Sequence, residues 1–494
     1  MKIHQAKTKL PIVVQIGLFV LVVMCTIYLG YQDNIDSTLL FISVLFTAYL
    51  IISLLQEYKT NDLVSPVAIT SALFLLHFAI PGILLSIGFL NFVYEPNSQY
   101  AFYSQIVIIF SFLAFKFGAK LITLKINQPK FTKYVPIWGE GKVLFVIIIL
   151  LVIGYTARLF FITKGLYFQE TRSSSGEIGA LFATYRQAER LPLLSLFIAT
   201  IFYYSNIIQN NRHNFKYILS IKKWFYLIII LEAFEIAYWF PSGRKTDLLF
   251  AIVIPFIIRY MYIKKLPSAK VIIIFLVFVI TFFQISNLYR LYMATGNYTN
   301  LSFYTAISKT LNDLEQKKYS RFHSSKNTDY MLKRLNLLES VSATIRLIET
   351  NALPVTYGEQ YIWLGMIFIP RIIWDDKPNF AYGNEFGHKT GLLSSYNEST
   401  SISVTFIGEA YLNFSWLAPI VMLLFGLFFT YFYNKAKRRK SVEWSFLYIL
   451  AVPILLYPGG TFALYFGGLV KSWIVAALLL IFMKSKRLII TESS

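Results

Sequence analysis

Apolar residues fall along this chain in long unbroken runs separated by short polar connectors, without the alternation of a half-buried strand. A helix crosses the hydrocarbon core of a bilayer in roughly 20 residues. About twelve runs approach that length: 10–31, 37–55, 67–90, 100–124, 143–163, 191–208, 224–241, 246–263, 270–289, 411–433, 444–459 and 462–483. The run at 444–459 is the weakest, being short and interrupted by Pro453. Another apolar stretch, Tyr361 to Trp374, is too short to span and contains Pro370 and Arg371, which marks it as interfacial or re-entrant. The expected fold is an all-α polytopic membrane protein.

The runs divide the chain into three parts. Residues 1–289 hold the first nine helices and a basic outer loop at 164–190. Residues 290–410 form a long, partly helical extracytoplasmic loop, and residues 411–494 hold the last three helices and a tail. Within the long loop, Met331, Leu335, Leu338, Ser342, Ile345 and Ile348 recur at helical spacing, with Lys333, Arg334, Glu339 and Arg346 elsewhere on the helix. That pattern predicts an amphipathic helix in a folded cap on the outer leaflet. The sequence shows no internal repeat, which weighs against an inverted-repeat transporter.

Basic residues set the orientation. With the N-terminus inside, the short cytoplasmic connectors collect Lys59, Lys120 to Lys142, Arg212 to Lys223, Arg259 to Lys270 and the run NKAKRRK after the tenth helix. The first outer connectors carry Asp33, Asp36 and Glu95 instead. Both termini are expected in the cytoplasm. The N-terminal apolar run is long and lacks a small-x-small cleavage site, so it is expected to be a spanning helix rather than a signal peptide.

Composition agrees with the pattern. Apolar residues make up 56%, charged residues 14%, and mean hydropathy is +0.57, whereas soluble domains average about 25% charged. A soluble multi-domain enzyme is excluded. The net charge of +21 would point to nucleic acid in a soluble protein. Here the cytoplasmic connectors account for much of it, and no nucleic-acid partner is expected. The rest sits in the two long outer segments, so an anionic ligand on the outer face is expected. The one cysteine, Cys25, lies in an apolar run and permits no intrachain disulfide. None of the five histidines is paired at metal-ligand spacing, and no HExxH, GxGxxG or P-loop pattern occurs. Neither a metal nor a cofactor is expected.

Ionisable residues at membrane depth are functional candidates because burying them is costly. Arg158 lies toward the outer end of the fifth helix, Lys471 in the twelfth, and Glu232 and Glu235 in the seventh. Pairing of Arg158 or Lys471 with one of these glutamates would hold the bundle together; contact with substrate is the alternative, and it suits Arg158 best. In FPSGRKTDLL (240–249), Arg244 follows a turn at the start of the eighth helix, a favourable place for an anion. Farther on, Arg371 and Lys377 flank Trp374-Asp375-Asp376, and Gly408-Glu409 lies at the start of the tenth helix.

The pattern IPR-x-x-W-x-x-KP at 369–378, followed by GEAYLNF at 408–414, resembles the O-antigen (oligosaccharide repeat-unit) polymerases of Wzy type. The SGR turn at 242–244, Arg172 in a long outer loop and the count of helices agree with that family. The resemblance implies a GT-C-like glycosyltransferase of the bacterial cytoplasmic (inner) membrane, acting in polysaccharide or lipopolysaccharide biosynthesis. It would polymerise repeat units carried on undecaprenyl pyrophosphate at the outer membrane face, without a metal. Its partners would be those lipid-linked glycans, membrane lipids, a chain-length regulator and a flippase. Arg371, Arg244, Arg290 and Arg172 are then the expected pyrophosphate ligands, with Lys377 and Arg158 secondary. Glu409 is the expected general base and His388 the second choice. An O-antigen ligase and a lipid-linked oligosaccharide flippase or transporter remain as alternatives.

Overall fold

The computed structural model describes residues 35–90, 98–125, 134–163, 185–209, 215–242, 244–266, 335–367, 382–394, 401–439 and 441–489, with isolated positions between 268 and 312 and at 369, 374 and 396. In chain order the elements are α1 (Ile35–Lys59), α2 (Pro66–Ser86), α3 (Ser98–Lys125), β1 (Tyr134–Trp138), α4 (Glu140–Thr163), α5 (Leu191–Gln209), α6 (Phe215–Ser242) and α7 (Lys245–Ile263). There follow α8 (Leu338–Glu349), α9 (Glu359–Met366), α10 (Gly383–Thr390), α11 (Phe406–Phe414), α12 (Ala418–Arg439), α13 (Val442–Leu456), α14 (Phe462–Met483) and β2 (Lys484–Ile489).

Among the described residues, eight helical stretches are long and apolar enough to cross a bilayer, with α11 and α12 together making one of them. The chain is a multi-pass membrane protein. The expected seventh run is α6, which carries Glu232 and Glu235, and the expected eleventh is the shorter α13. The expected first span lies outside the described residues, as does nearly all of the ninth. Each spanning helix divides its surface as the bilayer requires. On α4, Val143, Val146, Leu150, Ala157 and Arg158 turn inward, while Leu144, Ile148, Val152 and Leu159 are exposed.

The closest helix contact joins α3 to α12. A Cβ on Gly426 would stand 2.0 Å from the Phe115 carbonyl oxygen, and one on Gly118 would stand 2.3 Å from that of Leu423. Glycine on both sides lets the two backbones touch, the device that replaces hydrophobic driving force between helices in lipid.

Three observations depart from the sequence expectations. First, α8 has no broad polar face. Leu338 to Ile345 are all buried, as are Leu347 and Ile348, and the helix packs against α3 and α11. Among its buried hydroxyls, that of Thr344 is satisfied within the helix by the Ser340 carbonyl at 2.8 Å. The segment before α8 docks on a π-helical turn of α2, Leu75–Ala79. There the His77 carbonyl accepts from Leu337 N–H at 3.2 Å, and His77 Nδ1 lies 2.9 Å from the Leu335 oxygen; such turns release backbone groups from the helical ladder. Second, the tenth run starts earlier than expected. It begins with α11 at Phe406, breaks at Ser415 (φ 49°) and resumes as α12. Third, the fold is not wholly helical, because β1 and β2 pair antiparallel, with Tyr134 opposite Ile489.

Candidate functional site

The ends of α4 and α6 and the starts of α5 and α7 meet at one end of the bundle, where they gather opposite charges. Gly154 is what brings α5 close: a Cβ there would lie 2.2 Å from the Pro192 ring. One turn farther along α4, Arg158 donates through Nε to the Glu189 carbonyl at 3.1 Å and pairs through Nη2 with Glu235 Oε2 at 2.7 Å. The Trp239 indole N–H donates to the same Glu235 oxygen at 2.8 Å. The Arg158 guanidinium lies over the Tyr238 ring at 4.0 Å.

Glu189 is the second anchor. It is fully buried and accepts from Arg186 at 2.8 Å, Arg244 at 3.0 Å and the Tyr238 hydroxyl at 2.6 Å. Asp247, in the first turn of α7, is the third. It takes Arg190 through two bonds, Nε at 3.1 Å and Nη2 at 3.2 Å, and stands 4.0 Å from Arg244 Nη1. Among the described residues four arginines thus meet three carboxylates, leaving one positive charge in excess.

Arg190 is the accessible member. Its side chain is 60% exposed. Two of its five N–H donors go to Asp247, and the rest of the guanidinium is open to solvent. Tyr465 of α14 lies within electrostatic reach of Arg190 and Asp247. Its ring stacks on Tyr457 at 5.3 Å and meets Phe406 of α11 edge-on at 6.1 Å. Basic side chains at the starts of α5 and α7 thus neighbour aromatic rings of α11 and α14.

Behind that aromatic wall lies Glu409. Its Oε2 accepts a short hydrogen bond from the N–H of Phe462, the first residue of α14, whose own N-cap Thr461 makes no side-chain cap. Its Oε1 has no hydrogen-bond partner among the described residues. Two phenols share the surroundings. Burial raises Tyr361 and Tyr382 above the ordinary tyrosine range, and the nearby Glu409 carboxyl adds to the shift in both. Thr405, the N-cap of α11, holds φ at 67° and accepts from Gly408 N–H at 2.9 Å. A β-branched residue in that region is strained, and the strain lies one turn from Glu409.

The residues expected from sequence now separate. Arg244 stands at the start of its helix as expected, held by Glu189. Arg158 realises the pairing with Glu235, with its side chain 2% exposed, which favours the bundle-holding alternative over contact with substrate. Glu409 is 0% exposed and its Oε2 accepts from the first N–H of α14, an arrangement that favours a helix cap over the expected role as general base. His388 is half-buried on α10, which packs against α8. Arg172, Arg290, Arg371 and Lys377 lie outside the described residues. Sequence reasoning covered Arg186 and Arg190 only as part of the basic outer loop at 164–190 and missed Glu189, Asp247 and Tyr465. The spacing of RQAER at 186–190, directly before the apolar run at Leu191, was the available signal.

A second charged cluster closes the other end of α7. There Asp62 binds Lys264 at 3.3 Å, Lys437 at 2.6 Å and the Tyr433 hydroxyl. Two lysines and a phenol saturate that carboxylate, and the cluster fastens the α1–α2 turn to α7 and α12. Comparison with family models, with curated proteins and with solved structures finds no match to this chain.

Proposed function

We propose that this protein is a membrane glycosyltransferase that polymerises oligosaccharide repeat units carried on undecaprenyl pyrophosphate, at the outer face of a bacterial inner membrane. The observation that carries the reading is the exposed guanidinium of Arg190 in a cluster where four arginines meet three carboxylates, at one end of a helical bundle. The full reading takes about twelve helices in a GT-C-like arrangement, cytoplasmic termini, and the Arg190 end of the bundle as the outer one. The resemblance of residues 242–244 and 369–414 to repeat-unit polymerases supplies the substrate class.

In the reaction, a hydroxyl oxygen of a single lipid-linked repeat unit attacks the anomeric carbon of the growing glycan. The bond from that carbon to the phosphate oxygen breaks, and its electron pair leaves with undecaprenyl pyrophosphate. Charge therefore builds on the pyrophosphate as the oxocarbenium-like centre forms. Arg190, whose fork can take two oxygens at once, stabilises it, and the fixed charge of Arg244 adds to the field. The stacked Tyr457 and Tyr465 offer a flat aromatic face for the sugars. The attacking hydroxyl gives up its proton as the new bond forms. His388, with no imidazole partner among the described residues, is assigned to take it.

The test uses purified full-length protein in nanodiscs with lipid-linked repeat units. The proposal expects a ladder of longer glycans from the wild type and its loss in Arg190→Gln. Unchanged glycan length together with measurable transbilayer movement of the substrate would replace it with a transporter.

A further inference from the structure

Asp247 stands where a phosphate would. Its two oxygens take Arg190 through parallel bonds of 3.1 and 3.2 Å, the geometry in which a guanidinium also takes a phosphate. The Arg244 guanidinium lies 4.0 Å from the same carboxylate. The two partners differ sharply in access: the Arg190 side chain is 60% exposed and that of Asp247 is 6%. The arginine is open to solvent while the carboxylate is backed by protein. An anion that enters meets Arg190 first and competes with Asp247 for its fork.

Glu189 is placed differently. It is sealed, and three donors from three segments hold it: Arg186, Arg244 and Tyr238. It is a fixed anchor, and exchanging its partners would dismantle the cluster. The Arg190–Asp247 pair is the one whose charge can be exchanged without moving a helix.

We propose that Asp247 is a displaceable stand-in for substrate phosphate. It holds Arg190 in the empty site, yields it to the pyrophosphate group of a polyprenyl lipid, and recaptures it as the polyprenyl pyrophosphate product leaves. This rests on the reading of the Arg190 cluster as a lipid-pyrophosphate site. The exchange makes binding weaker than the bare arginine would allow and makes release faster, which a polymerase that must let go of its carrier at every cycle requires.

The experiment measures binding of farnesyl pyrophosphate and, separately, of inorganic pyrophosphate to full-length protein in phosphatidylcholine nanodiscs. The two probes distinguish a prenylated ligand from free phosphate. Asp247→Asn keeps the shape and removes the charge, and should bind farnesyl pyrophosphate about three- to tenfold more tightly than wild type. The gain should vanish in Asp247→Asn/Arg190→Gln. Asp247→Ser serves as a second variant lacking the carboxylate. Equal or weaker binding in a variant that melts like wild type overturns the exchange. Failure of both variants to fold overturns it as well, because Asp247 would then be a structural counter-ion. Ladder formation on the same preparations separates the two readings. A wild type that makes ladders, with no gain in Asp247→Asn, sinks the exchange alone. Tighter binding without any ladder supports the exchange and removes the polymerase. Absence of both ladders and pyrophosphate binding removes both.

Discussion

Replacing Glu409 separates a helix cap from a catalytic base. The carboxyl group is sealed from solvent, and its Oε2 is the acceptor for the first N–H of α14. In Glu409→Ala that donor stays buried with no acceptor, at a cost of about 1–3 kcal/mol. Removing the side-chain methylene group loses roughly a further 1 kcal/mol of packing. The expected destabilisation is therefore about 2–4 kcal/mol. Glu409→Gln keeps an oxygen for Phe462 and the same shape, and puts an amide at the position of the unpartnered Oε1. Its cost should stay near 1 kcal/mol. Melting in detergent, followed by intrinsic fluorescence, should rank wild type above Gln and Gln well above Ala. Turnover per folded molecule should be nearly unchanged in Gln. A Gln variant as stable as wild type but slower by about 10²–10⁴-fold would refute the argument and restore Glu409 as a general base.

Three further outcomes follow from the packing and the charges. Arg158→Met alone leaves Glu235 buried without its cation and should cost about 3–5 kcal/mol, whereas Arg158→Met/Glu235→Leu should recover most of that in the same melting assay. Arg158 Nη1 and Glu235 Oε1 lack partners among the described residues, so the double replacement sacrifices an imperfect pair; a double variant less stable than the single one would contradict this. Gly426→Ala drives a Cβ into the Phe115 carbonyl and should destabilise by about 1–3 kcal/mol, while a neutral result would show that α3 and α12 are not in backbone contact. In a Cys25-free background, a cysteine at position 396, where Tyr396 is 93% exposed, should react with an impermeant reagent from outside, and one at 437 only from the cytoplasm. Reaction of both from one side would overturn the orientation.

The helices were legible because lipid imposes a length and a polarity on each of them, and both can be read one residue at a time. The run at 462–483 matches α14 to the residue. Features that depend on a partner distant in sequence were not legible. Arg190 and Asp247 are 57 positions apart, and nothing in either neighbourhood names the other. Glu409 was read as a base because the resemblance implied glycosyl transfer at the outer interface, where a carboxylate can take the hydroxyl proton. Its actual partner, the backbone N–H of Phe462, leaves no mark in sequence. The α8 segment looked amphipathic because Glu339 and Arg346 fall off its apolar stripe, although Glu339 is itself buried in the core. Arg244 was placed well, since it stands between two apolar runs and is the N-cap residue of the second of the two helices they form.

The central claim is that a lipid pyrophosphate binds at the Arg190 end of the bundle. A photoactivatable prenyl pyrophosphate, crosslinked to the full-length protein in nanodiscs and mapped by peptide mass, tests it most directly. The account predicts label on the segments around Arg190, Arg244 and Tyr465, competed away by unlabelled prenyl pyrophosphate and lost in Arg190→Gln. Label confined to the opposite end, around Asp62, Lys264 and Lys437, would contradict it.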